Sequence, residues 1–392
     1  MKFGVSVYPE QESFDDTVAY LKLAAHHGFT KVFTSMFSVD ETAGQIASRF
    51  KRLSAAAHDL GMEICADANP QLFDLLGATA DDLTVFHEMG IDTLRMDMPF
   101  FDERNATLLS NPFGIAIEYN AMMKSLVDRF IGSAVNSDRM RVCHNFYPQR
   151  YTGVGERAYR EINDYWAKLD VPVGVFVSSQ NPGAFGPWPV RDGLPTLEDT
   201  RDLPIDLQMR YILLMGGVDK VIVGNEPATE EELAAINSLR QKLYPKNDGA
   251  SKEEGGLLGK QNFMNARPGA KHTLLHIVID SGISEAERQV AFSFRNHYDC
   301  GDGTEYMLRS RMPRLAFEGL SLPPRPCDST VFHRGDVLIV NDSMARYKAE
   351  LQIVLRDMRN DGQRNLIGRI SPSELFLLDH IEPSTVFLLE NV

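Results

Sequence analysis

The sequence is poor in cysteine: Cys65, Cys143, Cys300 and Cys327 are scattered through 392 residues without a CxxC pair. That density excludes a disulfide-stapled scaffold and suits idle thiols in a reducing compartment. Long hydrophobic runs are missing too; none approaches the roughly 20 residues needed to span a bilayer. The opening MKFGVSVYPEQESF turns polar after one short apolar run, without the core of a secretory leader, so a cytoplasmic protein is expected. Positive charge is scarce, with 40 Lys and Arg against 54 Asp and Glu, a net of -14. This balance disfavours nonspecific nucleic-acid binding and adhesion to anionic membranes, leaving small molecules as the expected partners. A GxGxxG turn after the first strand, a GxxxxGKS/T phosphate loop and an HExxH pair are all absent. His26 and His27 are adjacent on a helix, so they do not share a face as metal ligands would.

What is present is a globular composition, 43% apolar and 24% charged. β-rich runs alternate with longer helical stretches through roughly the first 240 residues, the pattern of a parallel sheet closed by crossover helices. Eight candidate strands can be read: Phe3–Val7, Lys31–Thr34, Met62–Ala66, Thr93–Met98, Gly114–Tyr119, Met140–Phe146, Pro172–Val177 and Lys220–Val223. Helices are expected over Asp15–His27, Glu41–Leu60, Glu156–Leu169 and Glu230–Lys242. Asp81 and Thr229 read as helix starts, and Gly28, Gly61, Gly90 and Gly217 as left-handed stops. The count of eight favours an α/β fold with an N-terminal (β/α)8 TIM barrel over residues 1–244. A Gly-, Lys-, Glu- and Asn-rich linker is expected over 245–270. From Lys271 to the end, HTLLHIVI, VAFSF, GDVLIVN, AELQIVLR, NLIGRI and TVFLLE suggest a small all-β barrel or sandwich. That part holds 14 basic and 17 acidic residues, and twelve of the 14 are Arg.

In such barrels chemistry sits at the carboxyl ends of the strands. Strand alternation turns Asp67, Arg95, Asp97, Glu118, Asn120 and Glu226 towards the axis, so four acids are expected near one cleft. Paired carboxylates are what glycoside hydrolysis uses. Each acid also has an ordinary structural alternative: a strand-end turn, a helix cap or a partner for Arg95. Strand six runs into HNFYPQRYTG, where His144, Asn145, Tyr147 and Arg150 suit a sugar or phosphate, or else a packed aromatic turn. The longest barrel loop, SSQNPGAFGPWPVRDGLPTLEDTR, offers Trp188 and Arg191 as binding residues or is plain surface decoration. Lys220 stands at the opening of strand eight, the wrong end for a Schiff-base lysine. In the second part, Arg295 and Arg309, near Asn296 and Arg311, are candidate phosphate contacts, with a solvated strand face as the plainer reading.

Several segments together carry a family resemblance: GVSVYPE, KVFTSMFS, ADANP, LRMD, HNFYPQRYTG, PVGVFV, GPWPVRDGLPTLEDTR and GNEPAT, then FRNHYD, RGDVLIVN and ARYKAELQI. In this order they resemble the bacterial 6-phospho-N-acetylmuramidases, once described only as outer surface proteins. The resemblance implies a barrel followed by a cyclophilin-like β domain, with no metal or organic cofactor. It implies cleavage of a cytoplasmic disaccharide of peptidoglycan recycling, N-acetylmuramic acid 6-phosphate linked to N-acetylglucosamine. VNDSMARY departs from the expected pattern, which would matter for specificity if Asn341 or Asp342 touched substrate. Geometry puts Asp97 and Glu118 first as the acid and the nucleophile or stabiliser, in either order, with Asp67 and Glu226 as reserves. A phosphosugar isomerase or lyase and a noncatalytic sugar-phosphate sensor are the rival classes. A homo-oligomer is left open.

Overall fold

The computed structural model describes residues 1–392 except 37–40, 126–136, 189, 191, 245–270, 302–303 and 384. The chain divides into two compact units, Met1–Met209 with Gly217–Ser238, and Arg210–Gly216 with Leu239–Val392. The expected linker, 245–270, lies outside the described residues. All four cysteines are unpaired thiols. Among the described residues no helix is long and apolar enough to cross a membrane.

In the first unit, eight parallel strands close a barrel: β1 (Lys2–Ser6), β2 (Lys31–Ser35), β3 (Glu63–Ala68), β4 (Thr93–Met96), β5 (Ala116–Asn120), β6 (Met140–Cys143), β7 (Val173–Val177) and β8 (Lys220–Val223). The last pairs with the first, as Lys2 meets Lys220 and Val5 meets Val223. Sequence reading places all eight within a few residues; the largest difference is β6, where His144 to Phe146 leave the sheet. The helices Phe14–His26, Ala43–Asp59 and Glu230–Leu243 begin at Ser13, Thr42 and Thr229 caps, whereas Glu156–Lys168 follows Gly155 without a side-chain cap. Ser13 accepts from the N–H of Asp16, and Thr42 and Gln45 form a reciprocal capping box. Gly28, Gly61, Gly90 and Gly217 all have φ between 71° and 78°, as stops before a strand require. The helix assigned to Asp81 begins instead at Thr84, whose N–H is held by Asp82 at 2.9 Å.

Inside the barrel, Phe33, Cys65, Cys143, Phe176 and Ile222 pack into one buried cluster, with Tyr8 and Leu194 above them. Alternation therefore fixes the facing of the neighbours: Asp67 lies two residues beyond Cys65, and Asn145 two beyond Cys143.

The second unit is built on a six-stranded mixed sheet. Its strands are β9 (His272–Ile279), β10 (Met307–Ser310), β12 (Asp336–Val340), β13 (Leu351–Val354), β15 (Arg364–Ile370) and β16 (Val386–Asn391), in the order β10-β13-β12-β15-β9-β16. Two short strands, β11 (Val331–Phe332) and β14 (Met358–Arg359), pair separately. Pairing is antiparallel except between β9 and β16. VAFSF, read as a strand, is helical: a Ser284–Glu287 capping box opens a helix at Glu285 that runs on as a wide turn through Gln289–Ser293. The local cap overrides the alternating pattern.

Candidate active site

At the carboxyl end of the barrel the side chains gather on Arg95, which is 2% exposed. Its Nη1 lies 2.6 Å from Asp67 Oδ1 and 3.5 Å from Asp97 Oδ1. One nitrogen touches both, so these two oxygens lie within about 6 Å of each other. Nη2 donates to Asn145 Oδ1, and Nε stands 3.7 Å from Glu118 Oε1. Asp67 is nearly enclosed, and burial pushes its carboxyl up to about 6; Arg95 opposes that rise while Asp97 and Glu118 add to it. Asp97 sits just past the end of β4 with 42% of its side chain exposed. The site thus holds one sheltered carboxyl and one open to a ligand, tied to the same guanidinium.

Glu118 and Glu226 are placed differently from the sequence expectation. Glu118 is 1% exposed in the middle of the barrel, where Lys220 donates to its Oε2 at 2.5 Å. With a lysine on one oxygen and Arg95 beside the other, it has little opening to a substrate carbon. Glu226 is fully buried beyond β8, accepts from the N–H of Tyr8, and bridges to Phe185. Its Oε2 has no partner among the described residues, and burial, reinforced by Glu12, raises its pKa well above the ordinary carboxylate value. Three of the four acids therefore meet at Arg95, and Glu226 does not.

Of the proposed binding residues, Asn145 reaches Arg95 directly. Tyr147 is half-buried near Arg95, with its hydroxyl 3.3 Å from Met122 Sδ. Asn120 is buried at the end of β5 and accepts from the N–H of Met122. His144 is a correction: it points out of the barrel, bonded to Asn163 at 2.8 Å and stacked on Tyr159. Burial lowers it to about 4, so it stays neutral. Arg150 is held by Asp202 at 2.6 Å and Asp192 at 3.2 Å, which commits its charge. Trp188 is 46% exposed and packs beside Phe146, whereas Arg191 lies outside the described residues. The loop carrying Trp188 closes the barrel mouth from inside: Leu194, Phe185 and Val190 cover the interior cluster, and Thr196 donates to the carbonyl of Asn145.

In the second unit Arg295 is exposed, with no ion pair among the described residues. Arg309 is instead engaged by buried Glu350 at 2.8 Å and lies over Tyr347. Asn341 and Asp342 act locally: Asn341 caps Ser343 and bonds Gly362 and Asn365, and Asp342 accepts from the N–H of Leu322. Lys220 stands at the opening of β8, as the sequence reading has it, and its facing follows from the same strand. Ile222 faces inward, so Lys220 must as well.

No curated protein matches the sequence. Among solved structures, an uncharacterized B. cereus protein is 32% identical, with 99% of each chain covered and a TM-score of 0.82. A conserved Enterococcus faecalis protein of unknown function is 24% identical over 100% of this chain and 96% of that one, with a TM-score of 0.66, a likeness of fold. Residues 3–238 match the family model "6-phospho-N-acetylmuramidase, N-terminal", and residues 273–390 match its C-terminal counterpart. The chain belongs to the 6-phospho-N-acetylmuramidase family.

Proposed function

We propose that this protein is a cytoplasmic glycoside hydrolase of peptidoglycan recycling, cleaving 6-phospho-N-acetylmuramyl-N-acetylglucosamine to N-acetylmuramic acid 6-phosphate and N-acetylglucosamine. The observation that carries the reading is the sharing of Arg95 Nη1 by Asp67 and Asp97 at the mouth of a family-matched barrel. Asp67 is the general acid: burial lets it keep a proton near pH 6, and it passes that proton to the glycosidic oxygen as N-acetylglucosamine leaves. Asp97, the more open carboxylate, attacks or stabilises the anomeric carbon, and Arg95 holds it in place. Asp67, now ionised, then takes a proton from the water that releases the sugar phosphate. A spacing within about 6 Å suits retention of configuration better than inversion, which needs about 6.5–9.5 Å to admit a water. The mixed sheet of the second unit is read as the cyclophilin-like domain implied by the sequence resemblance.

The test is incubation with the 6-phosphorylated disaccharide and its unphosphorylated form, following both products by mass spectrometry and the anomer by NMR. Selective cleavage of the phosphorylated sugar with retention is expected. Asp67→Asn should lower kcat by about 10²–10⁴-fold, with Asp97→Asn at least as severe. Azide rescue of Asp97→Asn would mark attack by Asp97; rescue failing with retention kept would assign attack to the substrate's own acetamido group. Binding without turnover by folded protein would mean a sensor, and turnover of a monosaccharide phosphate alone an isomerase or lyase.

A further inference from the structure

Beneath the two aspartates a line of charge runs through the barrel. Lys220 opens β8 at the amino-terminal face, and its ammonium reaches Glu118 Oε2 at 2.5 Å. The other oxygen of Glu118 faces Arg95 Nε at 3.7 Å and Cys65 Sγ at 3.8 Å. Arg95 Nε makes no hydrogen bond to any described residue, so Glu118 is the group that meets this side of the guanidinium. Gly174, the register neighbour of Lys220 on β7, leaves room for the lysine: a Cβ there would lie 2.7 Å from both Lys220 Cε and Cys143 Sγ. Cys65, Cys143 and Ile222 of the interior cluster lie around the pair, with Lys31, Glu63 and Arg141 along the same cavity at the amino-terminal face. Replacing a buried ion pair by apolar groups is often neutral or stabilising, so stability alone does not account for a lysine and a glutamate in this core.

We propose that Lys220 and Glu118 are a positioning pair for Arg95, fixing its guanidinium so that Nη1 meets Asp67 and Asp97 together. The inference rests on the assignment of those two aspartates to the reaction. The pair touches neither aspartate; it acts through Arg95 and through the field. Asp67 is faced by Tyr8 from beyond β1, Cys65 from its own strand, Arg95 and Asp97 from β4, and Glu118 from β5 with Lys220 behind it. Arg95 favours the ionised form of Asp67, whereas Asp97 and Glu118 disfavour it. Loss of the Glu118 charge therefore lets Asp67 release its proton at lower pH.

The experiment compares Glu118→Gln and Lys220→Met with the unaltered protein in pH-resolved kinetics on the phosphorylated disaccharide, alongside Asp97→Asn. The expected result is a fall in kcat of about 100-fold, as for a misplaced catalytic group. KM should change by less than about threefold, because uniform binding is untouched. The alkaline limb of the kcat profile should move to lower pH in Glu118→Gln, which loses a negative charge beside Asp67, and to higher pH in Lys220→Met, which leaves the Glu118 charge without its partner. Lys220 also lines a cavity of about 720 Å³ at the amino-terminal face, so propylammonium should restore part of kcat to Lys220→Ala. Unchanged kcat and limb with Asp97→Asn inactive would overturn the pair and leave the site reading intact. Full activity in Asp97→Asn would overturn the site reading and this inference with it. Loss of the folded state in both Glu118→Gln and Lys220→Met, seen by circular dichroism, would make the pair structural and likewise overturn it.

Discussion

Glu226 shows what burial does to a single carboxyl. It is shut away from water, receives one backbone hydrogen bond from Tyr8, and leaves Oε2 without a partner among the described residues. Its raised pKa means the folded chain keeps this proton where the unfolded chain has released it. Above the ordinary carboxylate range the unfolded state then binds fewer protons, so this group makes stability fall as pH rises. Glu226→Gln keeps an acceptor for Tyr8 and removes that dependence. Thermal melts should show no change near pH 4 and a gain of several degrees near pH 8; a loss at the higher pH would mean that the carboxylate is ionised and paired. At this scale, parity was the legible signal. Asp67 and Asn145 face the axis two residues beyond inward Cys65 and Cys143, Arg95 and Asp97 alternate with buried Leu94 and Met96, and the same rule, applied to His144 after inward Cys143, sends it outward. Depth was not legible: Glu118 lies beside Arg95 and Arg141 in the sheet register, and the stagger that sets this is not written within any one strand.

The elements that shape the barrel mouth are tied together by Glu198. Its carboxylate accepts from the N–H groups of Tyr151 and Gly153, both at 2.7 Å, and pairs with Arg201 at 2.6 Å. Tyr151 holds φ at 69°, a left-handed conformation a tyrosine resists, so the turn after β6 depends on such a brace. The Arg201 hydrogen bonds come first among the causes that hold Glu198 down to about 2. A carboxyl depressed in this way contributes stability above its unfolded value, and the contribution is lost as pH falls from the ordinary range towards 2. Glu198→Ala should cost about 1–3 kcal/mol at neutral pH by leaving these donors unpaired. In thermal melts the gap to the unaltered protein should close as the pH is lowered; a gap constant with pH would assign the loss to packing. The loop from Ser178 to Arg201 stood out in the sequence only by its length. Its inward anchors, Leu194 and Thr196, carry no pattern of their own and are set by contacts distant in sequence. VAFSF was misread for the opposite reason, since the Ser284–Glu287 box that makes it helical stands in the sequence just upstream.

For the whole molecule, the barrel was legible because eight strand and helix alternations leave few other closures, and the change of pattern after Tyr244 marked a second architecture. The parallel pairing of β9 with β16, first and last strands of the second sheet, was not, because it joins segments more than a hundred residues apart. Charge is the whole-molecule property with a kinetic consequence. The chain carries -14, and the phosphate of the proposed substrate would add about -1.5 to -2, so on the proposed function the two repel at long range. The Debye length shrinks from about 30 Å at 0.01 M salt to about 8 Å at 0.15 M, which screens that repulsion while leaving contacts inside the cleft almost untouched. On this ground kcat/KM should rise about two- to fivefold across that range, with kcat nearly constant because salt acts on encounter rather than on the bound state. Stopped-flow or initial-rate measurements below KM read this directly. A fall instead of a rise would mean that a local basic surface outweighs the net charge. Arg295, exposed and without an ion pair among the described residues, is then the first side chain to neutralise, since Arg150 and Arg309 already have carboxylate partners.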